Sequence, residues 1–283
     1  MNGIISIKDN AKIVVDEHAT EIISYSPQLF LRVAGRGDGK SITPCASSIL
    51  FTHNKQYFLV TAGHVIADND PKNLGILEGN EFLCIQGELS YINPYLDEKS
   101  DKIDVAIFKL SDELTANLAR YYRFLTIENL LLDHELKEHD PKYLVVGYPW
   151  RSSKLNPVEK TIFPKPFIFL TTLATETDYK HLNTNKHTNI LLQYHQKKIV
   201  NWKTHSITKG VNPQGISGCG VWFINKYIYD PINKPILKLI GIITDQDKNK
   251  RLLQATRIDY VNDILIRDFN LSLKRSKLFT KRH

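Results

Sequence analysis

The sequence predicts an all-β protein built from barrels or sandwiches. From Leu29 onward the chain contains many short runs of β-branched, aromatic and other apolar residues, and turn residues separate these runs. Apolar residues recur at helical spacing in only three segments, which are 11–26, 111–138 and 258–269. We therefore expect helices near the start, the middle and the end of the chain, and strands elsewhere.

The first part of the chain is predicted to hold an N-terminal extension and a β unit. Residues 1–27 form the extension, and residues 28–110 form the β unit. Within this unit, segments 47–52 and 57–60 flank the turn-prone segment 53–56, which is the pattern of a β-hairpin. Segments 81–85 and 103–110 are predicted to be further strands.

The remainder of the chain is predicted to form a connection, a second β unit and a closing segment. Residues 111–140 form a partly helical connection to the second unit at 141–250, where strands are expected at 143–149, 167–172, 190–194, 221–224 and 237–243. The closing segment, 251–283, combines a helix over 258–269 with a basic tail. Thr256 or Asp259 is the expected N-cap of this helix.

Composition places the chain among globular proteins. Of its 283 residues, 42% are hydrophobic and 24% are charged. No run of about 18 apolar residues occurs, so no membrane span is expected. The N-terminus lacks the basic start and long apolar stretch of a secretory signal. Three cysteines, Cys45, Cys84 and Cys219, are a poor disulfide framework and favour a reducing compartment. We predict a cytoplasmic protein, and the abundance of Lys, Asn and Ile favours a bacterial source.

The net charge of +7 raises the alternative of a nucleic-acid-binding protein. The charge is concentrated only at the end of the chain, in Lys274, Arg275, Lys277, Lys281 and Arg282. A solvated terminus is the simpler interpretation of this tail, so nucleic acid is not the expected partner.

Three short segments carry candidate catalytic residues in the order His, Asp, Ser. His64 lies at the end of the β-prone segment 58–65, Asp104 begins the apolar run 104–108, and Ser217 lies in the glycine-rich segment 212–220. A serine hydroxyl is a weak nucleophile at neutral pH. It needs a histidine to accept its proton, and that histidine needs a carboxylate to fix its tautomer. The three segments supply all three groups.

These segments resemble the motifs of chymotrypsin/trypsin-like serine peptidases. Thr61-Ala-Gly-His64 is similar to the Thr-Ala-Ala-His motif of that family, Asp104-Val-Ala-Ile resembles its Asp-Ile-Ala-Leu motif, and Gly215-Ile-Ser217-Gly-Cys-Gly resembles its Gly-Asp-Ser-Gly-Gly motif. His64 and Asp104 are 40 positions apart, and Asp104 and Ser217 are 113 apart, which suits the family. The resemblance covers residues 28–268.

This resemblance implies two six-stranded antiparallel β-barrels with the active site in the cleft between them. His64 and Asp104 would lie on the first barrel, and Ser217 on the second. The backbone N–H groups of Gly215 and Ser217 would form the oxyanion hole, where each donor contributes about 3–4 kcal/mol to stabilisation of the transition state. The walls of the specificity pocket would come from 209–214 and 241–247. Asp245 and Asp247 would select a basic substrate side chain there, although a solvated hairpin is the simpler interpretation.

Four positions depart from the family pattern or leave an alternative open. Val65 replaces a disulfide cysteine, and Ile216 replaces the aspartate that pairs with a freed N-terminus in zymogen-type relatives, so that activation route is closed. Cys219 replaces a glycine; its thiol is either a redox-sensitive group beside the oxyanion loop or an inert hydrophobe in the barrel. Asp101 competes with Asp104 for the third triad position, but Asp104 directly precedes the predicted strand.

The sequence therefore predicts an intracellular serine endopeptidase that acts on protein or peptide substrates through an acyl-enzyme. No cofactor and no metal are expected, because the chain lacks a zinc-ligand cluster and a phosphate-binding glycine loop. The first alternative is a trypsin-fold binding module with a degenerate site. The second is the basic nucleic-acid-binding protein described above.

Overall fold

β-Sheet makes up most of the regular structure in the computed structural model, as the sequence predicts. The structure describes residues 7–34, 40–79, 81–92, 102–136, 143–156, 161–195, 199–200, 207–208, 210–225, 236–249 and 251–280. Among these residues, no helix is both long enough and apolar enough to cross a membrane.

Two sheets form the first half of the chain. Their strands are β1 (Gln28–Ala34), β2 (Lys40–Ser47), β3 (Ile49–His53), β4 (Gln56–Thr61), β5 (Leu74–Glu78), β6 (Glu81–Cys84), β7 (Gly87–Tyr91), β8 (Ala106–Leu110) and β9 (Leu125–Thr126). One sheet has the order β2-β1-β5-β6, and the other has the order β7-β8-β4-β3-β9. The predicted hairpin is β3–β4, in which Ile49 pairs with Val60 and His53 with Gln56.

Two bent segments connect these sheets. The chain passes from β2 into β3 through Ser48, whose N–H donates to Pro27 O at 3.1 Å. It passes from β6 into β7 through 85–86, where Gln86 O accepts a hydrogen bond from Ser111 N at 3.0 Å. Each bend moves the chain from one sheet to the other.

A six-stranded antiparallel sheet dominates the second half. The strands are β10 (Tyr143–Gly147), β11 (Lys154–Asn156), β12 (Thr161–Phe163), β13 (Phe167–Thr171), β14 (Asn189–Gln193), β15 (Ile199–Val200), β16 (Ile207–Thr208), β17 (Gly220–Ile224), β18 (Leu237–Asp247) and β19 (Leu252–Arg257). The large sheet has the order β13-β10-β17-β18-β19-β14, and β11-β12 and β15-β16 are two-stranded ribbons. Its two edges meet, because Ala174 N donates to Leu191 O at 2.9 Å and Gln193 N donates to Thr172 O at 3.0 Å.

The sheet arrangement differs between the two halves. The second half has one six-stranded sheet, whereas the strands of the first half are divided between a four-stranded and a five-stranded sheet. The prediction of two six-stranded barrels is therefore met only at the coarser level of antiparallel β-sheet, and the barrels themselves stay a prediction.

Helices form in all three segments with helical periodicity. These helices are α1 (Ile7–Tyr25), α3 (Asp112–Leu118) and α5 (Ile258–Asp268). Three shorter helices, α2 (Gly63–Ala67), α4 (Glu176–His181) and α6 (Lys277–Thr280), lie outside the three segments. The predicted N-cap of α5 is wrong: the cap is Arg257, without a side-chain cap bond. The Thr256 hydroxyl accepts a hydrogen bond from Asp104 N instead, and the Asp259 carboxylate binds the Arg257 guanidinium.

The largest apolar cluster joins the two halves of the molecule. It contains the buried side chains of Val14 and Ile22 from α1, Phe58 from β4, Leu144 from β10 and Val261 from α5. Burying one such side chain contributes about 1.5–3 kcal/mol. The N-terminal and C-terminal helices therefore hold the two β units together.

Candidate active site

His64 lies three residues beyond the end of β4, at the start of α2. The preceding residue must be small: a Cβ at Gly63 would collide with the carbonyl oxygen of Ile92 and would lie 3.0 Å from Asp104 Oδ1. Glycine at this position therefore lets the His64 backbone approach the carboxylate. The imidazole remains 23% exposed, so it is accessible from solvent.

Asp104 holds His64 through both carboxylate oxygens. Oδ1 accepts a hydrogen bond from the His64 backbone N–H at 2.8 Å, and Oδ2 lies 2.7 Å from His64 Nδ1. The Asp104 backbone N–H donates to Thr256 Oγ1 at 3.1 Å. With Nδ1–H donating to Asp104, the lone pair of Nε2 is the one available to accept a proton.

The electrostatic surroundings of His64 favour its protonated form. Burial lowers the pKa of the imidazole, but the hydrogen bond and charge of Asp104, together with the charges of Asp68 and Asp245, outweigh burial. The pKa of His64 is therefore raised above its ordinary value. A histidine with this balance accepts a proton readily and is stabilised once it is charged.

Ser217 lies in a loop that two glycines shape before β17 begins. Gly215 and Gly218 have φ values of +98° and +90°, which L-residues with side chains rarely adopt. A Cβ at Gly218 would collide with the carbonyl oxygen of Ser47. The loop is anchored to β18, since Gly218 N donates to Ile243 O at 2.7 Å.

All three predicted triad residues line one cleft of about 440 Å³. Ser217 Oγ is half-buried and lies 3.5 Å from Thr244 O. Within the described part of the chain, no hydrogen bond joins Ser217 Oγ to His64. Hydrogen bonds of this kind are often long or poorly aligned in unliganded enzymes and tighten when substrate binds.

The same loop presents two backbone donors. Within the described ranges, no acceptor binds the N–H of Gly215 or the N–H of Ser217. Both residues line the cleft. They are therefore available to an oxygen of a molecule bound there, as an oxyanion hole requires.

Ser47, at the end of β2, connects the first half of the molecule to this loop. Its backbone N–H donates to Ser217 O at 2.8 Å. Its hydroxyl donates to Gly215 O at 3.1 Å and accepts from Tyr148 N at 2.9 Å. No local motif marks Ser47 or Thr256 as part of the site, so the sequence does not predict the role of either residue there.

Cys219 and Ile216 belong to the core of the second half. Cys219 is fully buried, Ile216 is 3% exposed, and both lie in one apolar cluster. Burial raises the pKa of the Cys219 thiol. Of the two alternatives for Cys219, the structure supports the inert hydrophobe, because thiolate formation and access are both suppressed.

Parts of the two segments that the sequence indicates line the cleft, and Leu253 and Gln254 of β19, which the sequence does not indicate, line it as well. Pro213 and Gln214 line one side, and residues 243–246 line the other. Asp245 is exposed, and its Oδ1 accepts a hydrogen bond from Gln246 N at 2.6 Å. Asp101, the competing triad candidate, and part of the basic tail (Lys281 and Arg282) lie outside the described residues. No group of three or more His, Cys, Asp or Glu side chains in the described ranges is arranged to hold a metal ion.

Comparison with known proteins identifies similarity in structure but not in sequence. No protein-family model and no curated protein sequence match the chain. The structure is similar to that of the Vibrio cholerae VesB protease, with a TM-score of 0.52, 13% identity, and coverage of 89% of this chain. The match spans 65% of the VesB chain, so this chain corresponds to somewhat less than two thirds of that protein. A Glu endopeptidase matches with a TM-score of 0.44 and 12% identity over 86% of this chain and 92% of that one.

The similarity to VesB, at this low identity, establishes the fold alone. The chain has a trypsin-like serine protease fold. The chemistry of the cleft has to be argued from its own residues.

Proposed function

We propose that the protein is a serine endopeptidase that cleaves protein or peptide substrates through an acyl-enzyme on Ser217. The observation that carries this proposal is the two-point attachment of His64 to Asp104 at the edge of the cleft that Ser217 also lines. A merely structural histidine needs neither a cleft shared with a serine nor an Nε2 atom that lacks a partner among the described residues. The trypsin-like fold supports the same conclusion.

The proposed reaction has two steps, acylation and deacylation, and each catalytic group acts once in each step. Ser217 Oγ attacks the substrate carbonyl carbon while His64 Nε2 accepts the hydroxyl proton. Asp104 stabilises the resulting imidazolium, and the N–H groups of Gly215 and Ser217 stabilise the oxyanion. The tetrahedral intermediate then collapses and expels the amine, which takes the proton from His64. Water then attacks the acyl-enzyme by the same route and releases Ser217.

We also infer that each half is a six-stranded barrel, with 28–110 in the first and 141–250 in the second. If β2 and β3 count as one bent strand, and β6 and β7 as another, the pairings of the first half run in a ring from β1 back to β1. In the second half, the bonds between the edges of the six-stranded sheet support closure. Three free cysteines support a cytoplasmic location.

A fluorophosphonate probe and a 4-nitrophenyl ester test the triad. Wild-type protein should be labelled with one probe per chain and should show a stoichiometric burst of nitrophenol. Ser217→Ala should abolish both signals. Ser90→Ala is the matched control, since the Ser90 hydroxyl binds Asp268 and not the cleft. Labelling that persists in Ser217→Ala would contradict the assignment of the nucleophile.

The alternative of a trypsin-fold binding module has one observation in its favour. Ser217 Oγ faces the carbonyl oxygen of Thr244 rather than His64. A binding module would give neither labelling nor a burst, although it would still bind peptides in the cleft. The nucleic-acid alternative rests on net charge alone, and no contact in the described structure favours it.

A further inference from the structure

Away from the triad, the inner part of the cleft carries no charged side chain among the described residues. The buried residues that line it are Pro213, Ile216, Ile243, Thr244, Leu253 and Gln254, together with Gly215 and the triad carboxylate of Asp104 at the His64 side. The remaining charged lining residues, Lys102, Asp245 and Lys248, are exposed and lie at the rim. Apart from the Ser217 and Thr244 hydroxyls and the backbone, the polar group that lines the compartment beside Thr244, among the described residues, is the Gln254 side chain.

A series of hydrogen bonds behind the cleft fixes the orientation of that side chain. It begins at Asn185, whose Oδ1 accepts from the backbone N–H groups of His187 at 2.9 Å and of Thr188 at 3.1 Å. In an amide side chain the oxygen accepts hydrogen bonds and the nitrogen only donates them. The atom that faces these two N–H groups must therefore be the Asn185 oxygen, which fixes the orientation of the amide. Thr188 Oγ1 lies 3.2 Å from this oxygen and donates to it.

The series then reaches the cleft. Since the Thr188 hydroxyl has donated its proton, it accepts from Asn189 Nδ2 at 2.7 Å. Asn189 Oδ1 is then the acceptor for Gln254 Nε2 at 3.0 Å. The amide nitrogen of Gln254 is therefore turned towards Asn189, and its oxygen is the atom left for the cleft.

Gln254 Oε1 has no partner within the described part of the chain. The residue as a whole is only 7% exposed, but its Oε1 atom is not fully buried. This oxygen therefore retains access to the cleft. The Thr244 hydroxyl donates to Gln254 O at 3.4 Å, and the Thr244 carbonyl oxygen accepts from Ser217 Oγ at 3.5 Å, so Thr244 lies between Gln254 and Ser217. The acceptor therefore stands on the wall next to the proposed nucleophile.

We propose that Gln254 determines specificity by accepting a hydrogen bond from an uncharged substrate side chain with an N–H donor, such as the carboxamide of glutamine. The side chain belongs to the residue whose carbonyl Ser217 attacks, so this inference rests on the proposed function. A substrate carboxylate could not bond Gln254 Oε1, because both groups are hydrogen-bond acceptors. A lysine or arginine could donate to Oε1 but would bury its charge without a carboxylate to neutralise it. An apolar side chain would enclose Oε1 without a donor.

A series of tripeptidyl diphenyl phosphonates tests the proposal on the full-length protein. The compounds differ only in the side chain next to phosphorus, which is that of glutamine, methionine, glutamate or lysine. Methionine matches glutamine in length but has no donor. We expect the second-order inactivation rate to favour glutamine over methionine by about tenfold or more, since sites built to hydrogen-bond a substrate reject analogues without the donor.

Two variants separate Gln254 from the general shape of the cleft. Gln254→Met should reduce the glutamine-to-methionine ratio to about 1, because the acceptor is lost at similar volume. Gln193→Met, a change of the same kind at a half-buried residue whose side chain binds Asp178 and does not line the cleft, should leave the ratio as in wild type. The ratio compares two compounds on the same variant, so a general change in reactivity cancels, and the control variant should retain the 4-nitrophenyl acetate burst of the wild-type protein.

The outcomes distinguish this inference from the proposed function. A normal ester burst with methionine, glutamate or lysine preferred, or an unchanged ratio in Gln254→Met, overturns the role of Gln254 and leaves the triad standing. No burst and no phosphonate labelling in wild-type protein overturns the proposed function itself. A preference for glutamine that disappears only in Gln254→Met supports the inference.

Discussion

Ser47→Ala tests whether the first half of the molecule positions the proposed oxyanion loop. The Ser47 side chain is fully buried, and its hydroxyl serves one donor and one acceptor. Alanine would leave Tyr148 N without its acceptor and Gly215 O without its donor. An unpartnered buried group costs about 1–3 kcal/mol, so the two together lower the free energy of unfolding by about 2–6 kcal/mol.

The effect of Ser47→Ala on catalysis should follow from the same two bonds. Gly215 O belongs to the peptide unit next to the Gly215 N–H, and its release lets this N–H turn away from the oxyanion position. A misplacement near 1 Å costs about 10²-fold in rate. Acylation by a 4-nitrophenyl ester, measured by stopped flow, should therefore slow by about this factor, whereas the Ser217 burst amplitude should remain stoichiometric.

Ser48→Ala is the matched control, since Ser48 is equally buried and adjacent in the chain. Its hydroxyl donates to Pro27 O at 3.0 Å, and this oxygen also accepts from Ser48 N, so it keeps a partner after the substitution. We expect a loss of about 1 kcal/mol in urea unfolding and an unchanged acylation rate. Equal effects of the two substitutions on stability and on acylation would refute the positioning role of Ser47.

Four further predictions follow from the bonds around the proposed base. Asp104→Asn should reduce turnover by about 10⁴-fold, since an amide at this position favours the wrong tautomer of His64; a loss below tenfold in steady-state assays would contradict the triad. Because the pKa of His64 is raised, turnover should fall with decreasing pH through a midpoint above the ordinary histidine pKa of about 6.5, and a midpoint below that value would contradict the electrostatic argument. The raised pKa also means that protonation of His64 stabilises the folded state. This contribution is full below the unfolded-state pKa and is lost as the pH rises through the folded-state pKa. Urea unfolding measured as a function of pH should show the contribution in wild type but not in Asp104→Asn. Thr256→Val should lower the free energy of unfolding by about 1–3 kcal/mol and reduce kcat more than it changes KM, because Asp104 N loses its buried acceptor. Thr115→Val is its control, since the buried Thr115 hydroxyl has no partner to lose; comparable losses in both variants would show that the Thr256 bond is not special.

The sequence predicts best those strands with a clear boundary and an apolar run. β10 and β17 lie within one residue of their predicted starts, since glycine or a polar segment precedes each run. β19 was not predicted, although Leu252–Arg257 is buried at every position. Burial on both faces removes the alternation of polar and apolar residues that marks a strand in sequence, so a glutamine, a threonine and an arginine in such a run conceal it.

In the candidate site, the sequence predicts the residues that lie in local motifs but not those that act through contacts between distant parts of the chain. His64, Asp104 and Ser217 each lie in a short motif, so residue type and neighbours are enough to select them. Ser47 lies 168 positions from Gly215, and Asp104 lies 152 positions from Thr256. Contacts over such separations come from tertiary packing, and a single sequence carries no local pattern for them. Thr256 shows how a local pattern can mislead. A threonine just before a helix is typical of an N-cap, but its hydroxyl accepts a hydrogen bond from Asp104 N in the first β unit instead.

The distribution of these contacts bears on why motifs alone do not establish a catalytic site. The proposed base belongs to the first half of the molecule and the proposed nucleophile to the second, so their separation depends on how the halves pack. Two bonds cross from the first half to the second at separate places: the Ser47 hydroxyl of β2 donates to the serine loop, and Asp104 N donates to Thr256 of β19. The apolar cluster that includes Val14 of α1 and Val261 of α5 holds the same interface. A chain could keep all three motifs and lose these contacts, and its histidine and serine would then lie in the same cleft without a fixed distance between them.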